Sequence, residues 1–449
     1  MHPSEPSFPA PRVISLLRTA LLLPLLLGAC RTVERGAGSA RPEADRIRRD
    51  IAYLADDRLD GRGTGTAGND SAASWLARRY VELRALAMVS QPRGCSDVGQ
   101  SRCMGFLQHF TARGAELAHM GKPEGVPTQN VVALIPGRDP AFTGREFVVI
   151  GAHFDHLGRS PANALDQGDA IRNGADDNAS GTAAVLELAR IFTANPARRP
   201  IVLAHFSGEE LGLLGSQWFV EHSPVPVRDI VAMVNFDMVG RLRNDRLIVY
   251  GVATARELPG LVDSANVEPK LRINAVGDGF GPSDHSSFFA KGIPVLHFFT
   301  DLHDDYHRAT DDVEKIDAAG TARVVAVAER VIRAIADRPE RLTVVQTAAA
   351  PTMAPARQGS NVYLGTIPDM AASDVPGLRL TGVRAGSPAD KGGLAAGDVI
   401  VRFAGREVKD LYSYSEALYA RKPGDEVEVV YLRGAERRTT RVTLGTRGQ

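Results

Sequence analysis

The sequence predicts an α/β protein: a mostly parallel mixed sheet flanked by helices, followed by a small β-rich unit. Three observations carry this. From about residue 105 onward, short apolar runs with strand character alternate with segments of helical period. Three of the runs stop at an acidic or imidazole side chain. A stretch rich in Ala, Pro, Thr and Gln, without hydrophobic period, then separates these alternating elements from the last ninety or so residues.

The chain has 449 residues, enough for two or three domains, with an apolar content of 44% and a charged content of 24%. Lys plus Arg and Asp plus Glu are equal at 53 each, so no net field favours nucleic acid, and no nucleic-acid partner is expected. Residues 1–29 read as a targeting segment. Arg12 and Arg18 precede an apolar run that is interrupted by Pro24 and too short to span a bilayer. The run ends in Leu27-Gly28-Ala29-Cys30, which resembles the bacterial lipobox. That resemblance implies a lipid on Cys30 and export to the cell-envelope side of a membrane to which the lipid anchors the chain; an ordinary signal peptide cut near Ala29 is the alternative. Cys95 and Cys103 lie close enough to close a small loop in an oxidising compartment, worth roughly 2 kcal/mol at most.

Residues 30–44 are expected to be a tether. A helix is expected over 45–54, where Ile47, Ile51 and Leu54 fall at helical spacing. The loop Asp60-Gly-Arg-Gly-Thr-Gly-Thr-Ala-Gly68 superficially suggests a phosphate cradle, but no Gly-Lys-Ser/Thr closes it and that reading is rejected. An amphipathic helix is expected over 70–87, around Trp75, Leu76, Tyr80 and Leu83. Strands are expected at 106–110, 130–135, 147–152, 201–206, 231–236, 247–251 and 294–299. Helices are expected at 181–192, 211–222 and 318–336.

Four motifs and one loop carry the chemistry. Phe147-Val-Val-Ile-Gly-Ala-His153-Phe-Asp155 is a buried strand ending in a histidine. Gly174-Ala-Asp-Asp177-Asn-Ala-Ser-Gly181 is a glycine-bounded loop that opens a helix. The strands at 201–206 and 231–236 run into Glu209-Glu210 and Asp237, and Asp304-Asp-Tyr306-His307 adds a second imidazole. Open α/β sheets bind ligands outside the carboxyl ends of their strands. Any one of these residues alone reads as a helix cap or loop carboxylate. Together they place two histidines and several carboxylates at one sheet edge, a donor set suited to zinc and also to cobalt or manganese.

This set resembles the M28 family of zinc aminopeptidases over about residues 45–340. The resemblance implies that His153 and Asp237 hold one zinc, that Glu210 and His307 hold another, and that Asp177 bridges them. It further implies that Glu209 is the general base toward a metal-bridging hydroxide, in hydrolysis of the N-terminal bond of a peptide or protein. Asp155, two residues beyond His153, is expected to receive that imidazole's free N–H. Asp284 and His285 match another family segment and are expected, with Tyr306, in the substrate pocket; the loops 276–282 and 300–306 are expected to set specificity. Glutaminyl cyclisation or carboxypeptidase action on a related fold, and a non-catalytic scaffold, are the alternatives. The presence of His153 weighs against the first, and the complete ligand set against the last.

Residues 341–359 are expected to be the linker. Residues 360–445 resemble a PDZ domain of the kind attached to bacterial proteases, on the strength of the Gly- and Pro-punctuated stretch from Ala385 to Gly405. Tyr363-Leu-Gly-Thr366 stands where a carboxylate-capturing loop belongs, but departs from Gly-Leu-Gly-Phe. The resemblance implies a peptide ligand added as an extra strand there, with a helix near 412–421 as the other wall. A packing unit that shields the core is the alternative.

Overall fold

In the computed structural model the described residues are 41–90, 104–114, 117, 121–159, 164, 166, 168–268, 270–277, 279–281, 283–345, 362–368, 377–383, 386–408, 413–414, 417–418 and 420–446. Cys30, Cys95, Cys103, the targeting segment, most of the tether and the linker from 346 to 361 lie outside them.

A nine-stranded sheet organises residues 86–299. In chain order its strands are β1 (Leu86–Ala87), β2 (Leu107–Ala112), β3 (Val126–Ile135), β4 (Phe147–His153), β5 (Ile201–Phe206), β6 (Ile230–Phe236), β7 (Arg246–Tyr250), β8 (Arg272–Ala275) and β9 (Val295–Phe299). Their spatial order is β1-β3-β5-β4-β6-β9-β7-β8, with β2 also on β3. The four central strands β5, β4, β6 and β9 are mutually parallel, whereas β3 and β7 join them antiparallel. Every residue of those four strands is buried, as expected where both faces are covered.

Alternation of side chains divides the core. From β4, Val148, Ile150 and Ala152 pack with helices α1 (Ala44–Leu54), α2 (Ala67–Glu82), α3 (Gly181–Ala194), α5 (Leu258–Ala265) and α7 (Ala318–Ala336). Phe147 and Val149 face the other way, against Phe219 and Val220 of α4 (Leu214–Glu221) and Phe288 of α6 (His285–Phe289). Among the described residues no helix is long and apolar enough to cross a membrane.

The strands expected from the sequence form within a few residues of their expected bounds, and the helix at 318–336 forms as read. Two helical readings shift and one helix is new. The second helix starts at Ala67 because Thr66 caps it, its Oγ1 accepting from Asn69 N at 3.3 Å. It ends by Leu83, since Arg84 has φ 60. The segment after Glu210 is a turn, with Gly212 at φ 108 and Leu213 at φ 61, so α4 begins only at Leu214. Helix α5 was not foreseen, because Pro259-Gly260 reads as a loop although Pro sits acceptably in a first turn.

The C-terminal residues form β10 (Val362–Tyr363), β11 (Thr366–Pro368), β12 (Leu378–Val383), β13 (Val399–Phe403), β14 (Arg406–Glu407), β15 (Glu426–Arg433), β16 (Glu436–Thr443) and β17 (Gly445–Thr446). Six of them make an antiparallel sheet with its own core around Leu380, Ile400, Phe403, Val429 and Tyr431. The helix expected near 412–421 is described only at residues 413–414, 417–418 and 420–421.

Candidate metal centre

The carboxyl ends of β4, β5, β6 and β9 lie side by side, and each feeds a polar segment into one place. His153 is the last residue of β4. Asp177 lies in the turn that opens α3, Glu209 and Glu210 follow β5, Asp237 follows β6, and His307 lies in the loop after β9. The chain thus delivers its donors at the topological switch of a mixed sheet.

The distances resolve two groupings. His153 Nε2 lies 3.4 Å from Asp177 Oδ1 and 3.4 Å from Asp237 Oδ1. His307 Nε2 lies 3.2 Å from Asp177 Oδ2 and 3.2 Å from Glu210 Oε2. Asp177 therefore offers one oxygen to each group. Donors about 2.0–2.1 Å from one tetrahedral zinc stand about 3.3–3.4 Å apart, close to these separations. His156, whose position the sequence reading passed over, makes a rival grouping with Asp177 and Glu210. Its Nδ1 is 2.8 Å from Glu210 Oε1 and 3.8 Å from Asp177 Oδ2. The shorter separation is a hydrogen bond, too tight for two donors on one tetrahedral ion, whereas His307 Nε2 stands 3.2 Å from both carboxylates.

The donor set fits a cation. Asp177 and Asp237 are at most 9% exposed, and Asp237 Oδ1 is buried without a hydrogen-bond partner. Burial works against carboxylate charge, yet the His153 and His307 imidazoles hold Asp177 well below the usual range. Glu210 is brought to about 2 against its burial, by His307 and His156. Conversely, burial lowers the affinity of His153 and His307 for protons, but the surrounding carboxylates raise both well above an ordinary imidazole. Protons on these imidazoles stand where a divalent ion would take their place.

Glu209 lies just outside this array, its Oε2 4.0 Å from His153 Nε2. Burial pushes its carboxyl well up; His153 opposes that, and the charges of Glu210, Asp284 and Asp237 add to it. Asp155 is fully buried beneath the site. His153 Nδ1 approaches the Asp155 main-chain oxygen at 3.2 Å and its carboxylate at 3.7 Å, so the imidazole is held by the same residue the sequence named, chiefly through its backbone. The Asp155 carboxylate accepts from Thr64 Oγ1 at 2.7 Å and from Glu209 N at 3.3 Å.

The cleft above the donors is lined on its apolar side by Met238, Tyr250, Phe299, Leu302 and Tyr306. Tyr306 stacks on His307 with ring centroids 3.8 Å apart. Asp284 and His285, expected in this pocket, do not line it. Both are fully buried at the start of α6, with His285 stacked on His297 at 4.4 Å, and Ser283 faces the cleft instead. Of the two loops expected to set specificity, 300–306 contributes Leu302 and Tyr306, whereas Val276 packs behind with Tyr250. Tyr250 and His297 escaped the sequence reading because both sit inside strands, where an aromatic residue reads as core.

Residues 130–332 match peptidase family M28, and residues 358–444 match the PDZ domain. The chain carries an M28 peptidase domain. The resemblance drawn from the five ligand-bearing segments and from the C-terminal stretch holds for both units. Aminopeptidase YwaD of Bacillus subtilis is 31% identical to this chain over 186 residues, which are 38% of this chain and 37% of that protein. A probable zinc metalloprotease of Pyrenophora tritici-repentis is 40% identical over 195 residues, 43% of this chain and 40% of the relative. The chain thus spans well under half the length of these relatives. Among solved structures, a Zn-dependent exopeptidase from Parabacteroides distasonis superposes with a TM-score of 0.52 at 20% identity, covering 65% of this chain and 98% of that one. A leucine aminopeptidase precursor from Bacteroides thetaiotaomicron gives 0.51 at 17% identity, over 65% and 97%. At these identities the likeness is one of fold.

Proposed function

We propose that the M28 unit is a dinuclear zinc aminopeptidase that hydrolyses the N-terminal bond of peptides. The observation that carries this is Asp177, whose two oxygens face two separate imidazole–carboxylate groups while Glu209 lies beside them. His153 and Asp237 would hold one ion and Glu210 and His307 the other, with Asp177 shared. Zinc supplies Lewis acidity at such a site, lowering the pKa of water and polarising a carbonyl oxygen.

The protein's own part is proton traffic and placement. Glu209 takes the proton of the attacking water and delivers it to the departing amine, so its carboxylate is restored in each cycle. Burial, and then the carboxylates around it, raise its proton affinity, which suits a base. Asp155 holds the Glu209 backbone from below. The apolar wall of Met238, Phe299 and Leu302 receives the substrate next to the donors and excludes water from the reacting bond. The PDZ unit is read as a peptide site beside Thr366–Pro368, and a lipid on Cys30 as the membrane anchor; loss of labelled fatty acid from Cys30→Ala protein tests the anchor.

The function is tested by a panel of peptides and aminoacyl-nitroanilides on the purified protein, with metal analysis alongside. The expected result is release of N-terminal residues, abolished by chelator and restored by zinc, with about two ions per chain. Release from the C-terminus would identify a carboxypeptidase. Cyclisation of N-terminal glutamine with one ion per chain would identify a cyclase, and full activity in excess chelator would end the metal reading.

A further inference from the structure

The glycine-rich loop 60–68, which carries no phosphate motif, has a different feature at its start. Asp60, Gly61 and Arg62 have successive φ values of 47, 64 and 53. This unusual left-handed run is clamped on both sides. His156 N and Asn69 Nδ2 donate to Arg62 O at 3.3 and 3.2 Å, and Gly158 N donates to Gly61 O at 3.1 Å. A side chain at Gly61 would meet Arg172 O at 2.3 Å, so only glycine permits the turn.

The turn sends Arg62 inward, where it is fully buried. Among the described residues no carboxylate lies within ion-pair distance of it; its hydrogen bonds end on main-chain carbonyls. Nε donates to Phe154 O at 2.8 Å, Nη1 to Asn173 O at 2.6 Å and to Leu54 O, and Nη2 to Gly174 O at 3.1 Å. Phe154 stands between His153 and Asp155, while Asn173 and Gly174 lead into Asp177. One guanidinium therefore ties together the two backbone segments that carry the first donors of the centre. Two residues further along the same loop, Thr64 donates to the Asp155 carboxylate.

Burying an unpaired cation is costly unless a nearby field offsets it. Burial lowers the Arg62 guanidinium to about 10, while the charges of Asp155, Asp177, Asp311 and Glu210 keep it from falling further, so it remains charged at neutral pH. Its charge is thus matched to the centre's surplus of carboxylates although it touches none of them.

We propose that Arg62 is a positioning residue of the metal centre: it fixes the separation of the His153–Asp155 and Asn173–Asp177 segments, so that His153 Nε2 and Asp177 Oδ1 meet at one ion. The inference rests on the metal-centre reading above. Because Asp177 is shared, a displacement of its segment acts on both ions. Lysine in place of Arg62 would retain the charge, but a single ammonium lacks the planar fork that reaches both segments.

The test uses the full chain as wild type, Arg62→Lys and Arg62→Met, each stripped of metal. Zinc and cobalt affinities are measured by competition with a chromophoric chelator, the cobalt absorption spectrum is recorded, and thermal unfolding is followed with and without zinc. Both variants are expected to bind zinc about 10–100-fold more weakly, to give an altered cobalt spectrum, and to gain less in Tm from zinc than wild type does. A purely structural role would lower Tm equally with and without zinc and leave affinity and spectrum unchanged, which overturns the proposal. If Arg62→Met does not fold, Arg62→Lys decides, and wild-type affinity and spectrum there overturn it. Wild-type protein that takes up no metal overturns the metal-centre reading and this inference together; normal uptake by wild type and both variants overturns the inference alone.

Discussion

Asp177 turns its two carboxylate oxygens toward two different imidazoles, Oδ1 lying 3.4 Å from His153 Nε2 and Oδ2 3.2 Å from His307 Nε2. An asparagine there removes the negative charge that both groups share, and its amide nitrogen cannot donate an electron pair to a metal on the side it faces. Asp177→Asn is therefore expected to lose both tightly held ions, whereas Asp237→Asn weakens only the ion beside His153. Metal content after dialysis against a weak chelator checks this: near zero for the first variant and about one ion per chain for the second.

Glu209 lies outside the donor edges, at 4.0 Å from His153 Nε2. Glu209→Gln should therefore keep wild-type metal content and lose roughly 10²–10⁴-fold in kcat, the usual contribution of a positioned general base. Hydrolysis of an aminoacyl-nitroanilide, with metal analysis on the same sample, separates the two effects. Full activity would remove Glu209 from the mechanism.

The Asp155 carboxylate accepts two hydrogen bonds, one from Thr64 Oγ1 and one from Glu209 N. Asn at this position can still accept from Glu209 N, with its amide turned toward a reoriented Thr64 hydroxyl, so the backbone geometry survives. What disappears is the negative charge 3.7 Å from His153 Nδ1. Asp155→Asn is expected to weaken the ion beside His153 by about 10–100-fold, with little change in Tm of the metal-free protein. Chelator competition together with thermal unfolding checks both parts.

The legibility of this site follows from where its residues sit. Glu210 and Asp237 closely follow apolar runs, so the strand signal and the ligand signal reinforce each other. His307 lies beyond β9 in a loop of no period, and only the family motif singles it out. Arg62 was missed because three left-handed residues look, as letters, like any glycine-rich surface turn; that the turn points inward depends on Gly158 and His156, nearly a hundred residues away. Asp284 and His285 were misplaced in the pocket wall for a related reason. A motif places residues near a site, but which face a short helix such as α6 presents depends on what packs on it, here Phe219 and Phe206 around Phe288.

The remaining prediction concerns stability against acid. His205 lies within β5 and is fully buried, with its Nε2 2.6 Å from the Tyr80 hydroxyl. Burial pulls its imidazole down to about 3. In the unfolded chain an imidazole titrates near about 6.5, so the unfolded state gains a proton over a range where the folded state does not. The stabilisation due to neutral His205 is therefore complete above about pH 6.5 and is lost as pH falls from there toward the folded value, at about 1.4 kcal/mol per pH unit. Glutamine preserves a partner for Tyr80 but does not titrate. Metal-free His205→Gln protein should be less stable than wild type at pH 7.5, because it packs less well. That deficit should shrink by roughly 2–3 kcal/mol between pH 6.5 and 4.5. Urea unfolding of both proteins across that range provides the measurement, and their difference cancels the other buried histidines, His153, His156, His285 and His297, which both proteins share. A deficit that stays constant with pH would mean that His205 takes up a proton within the fold as readily as outside it.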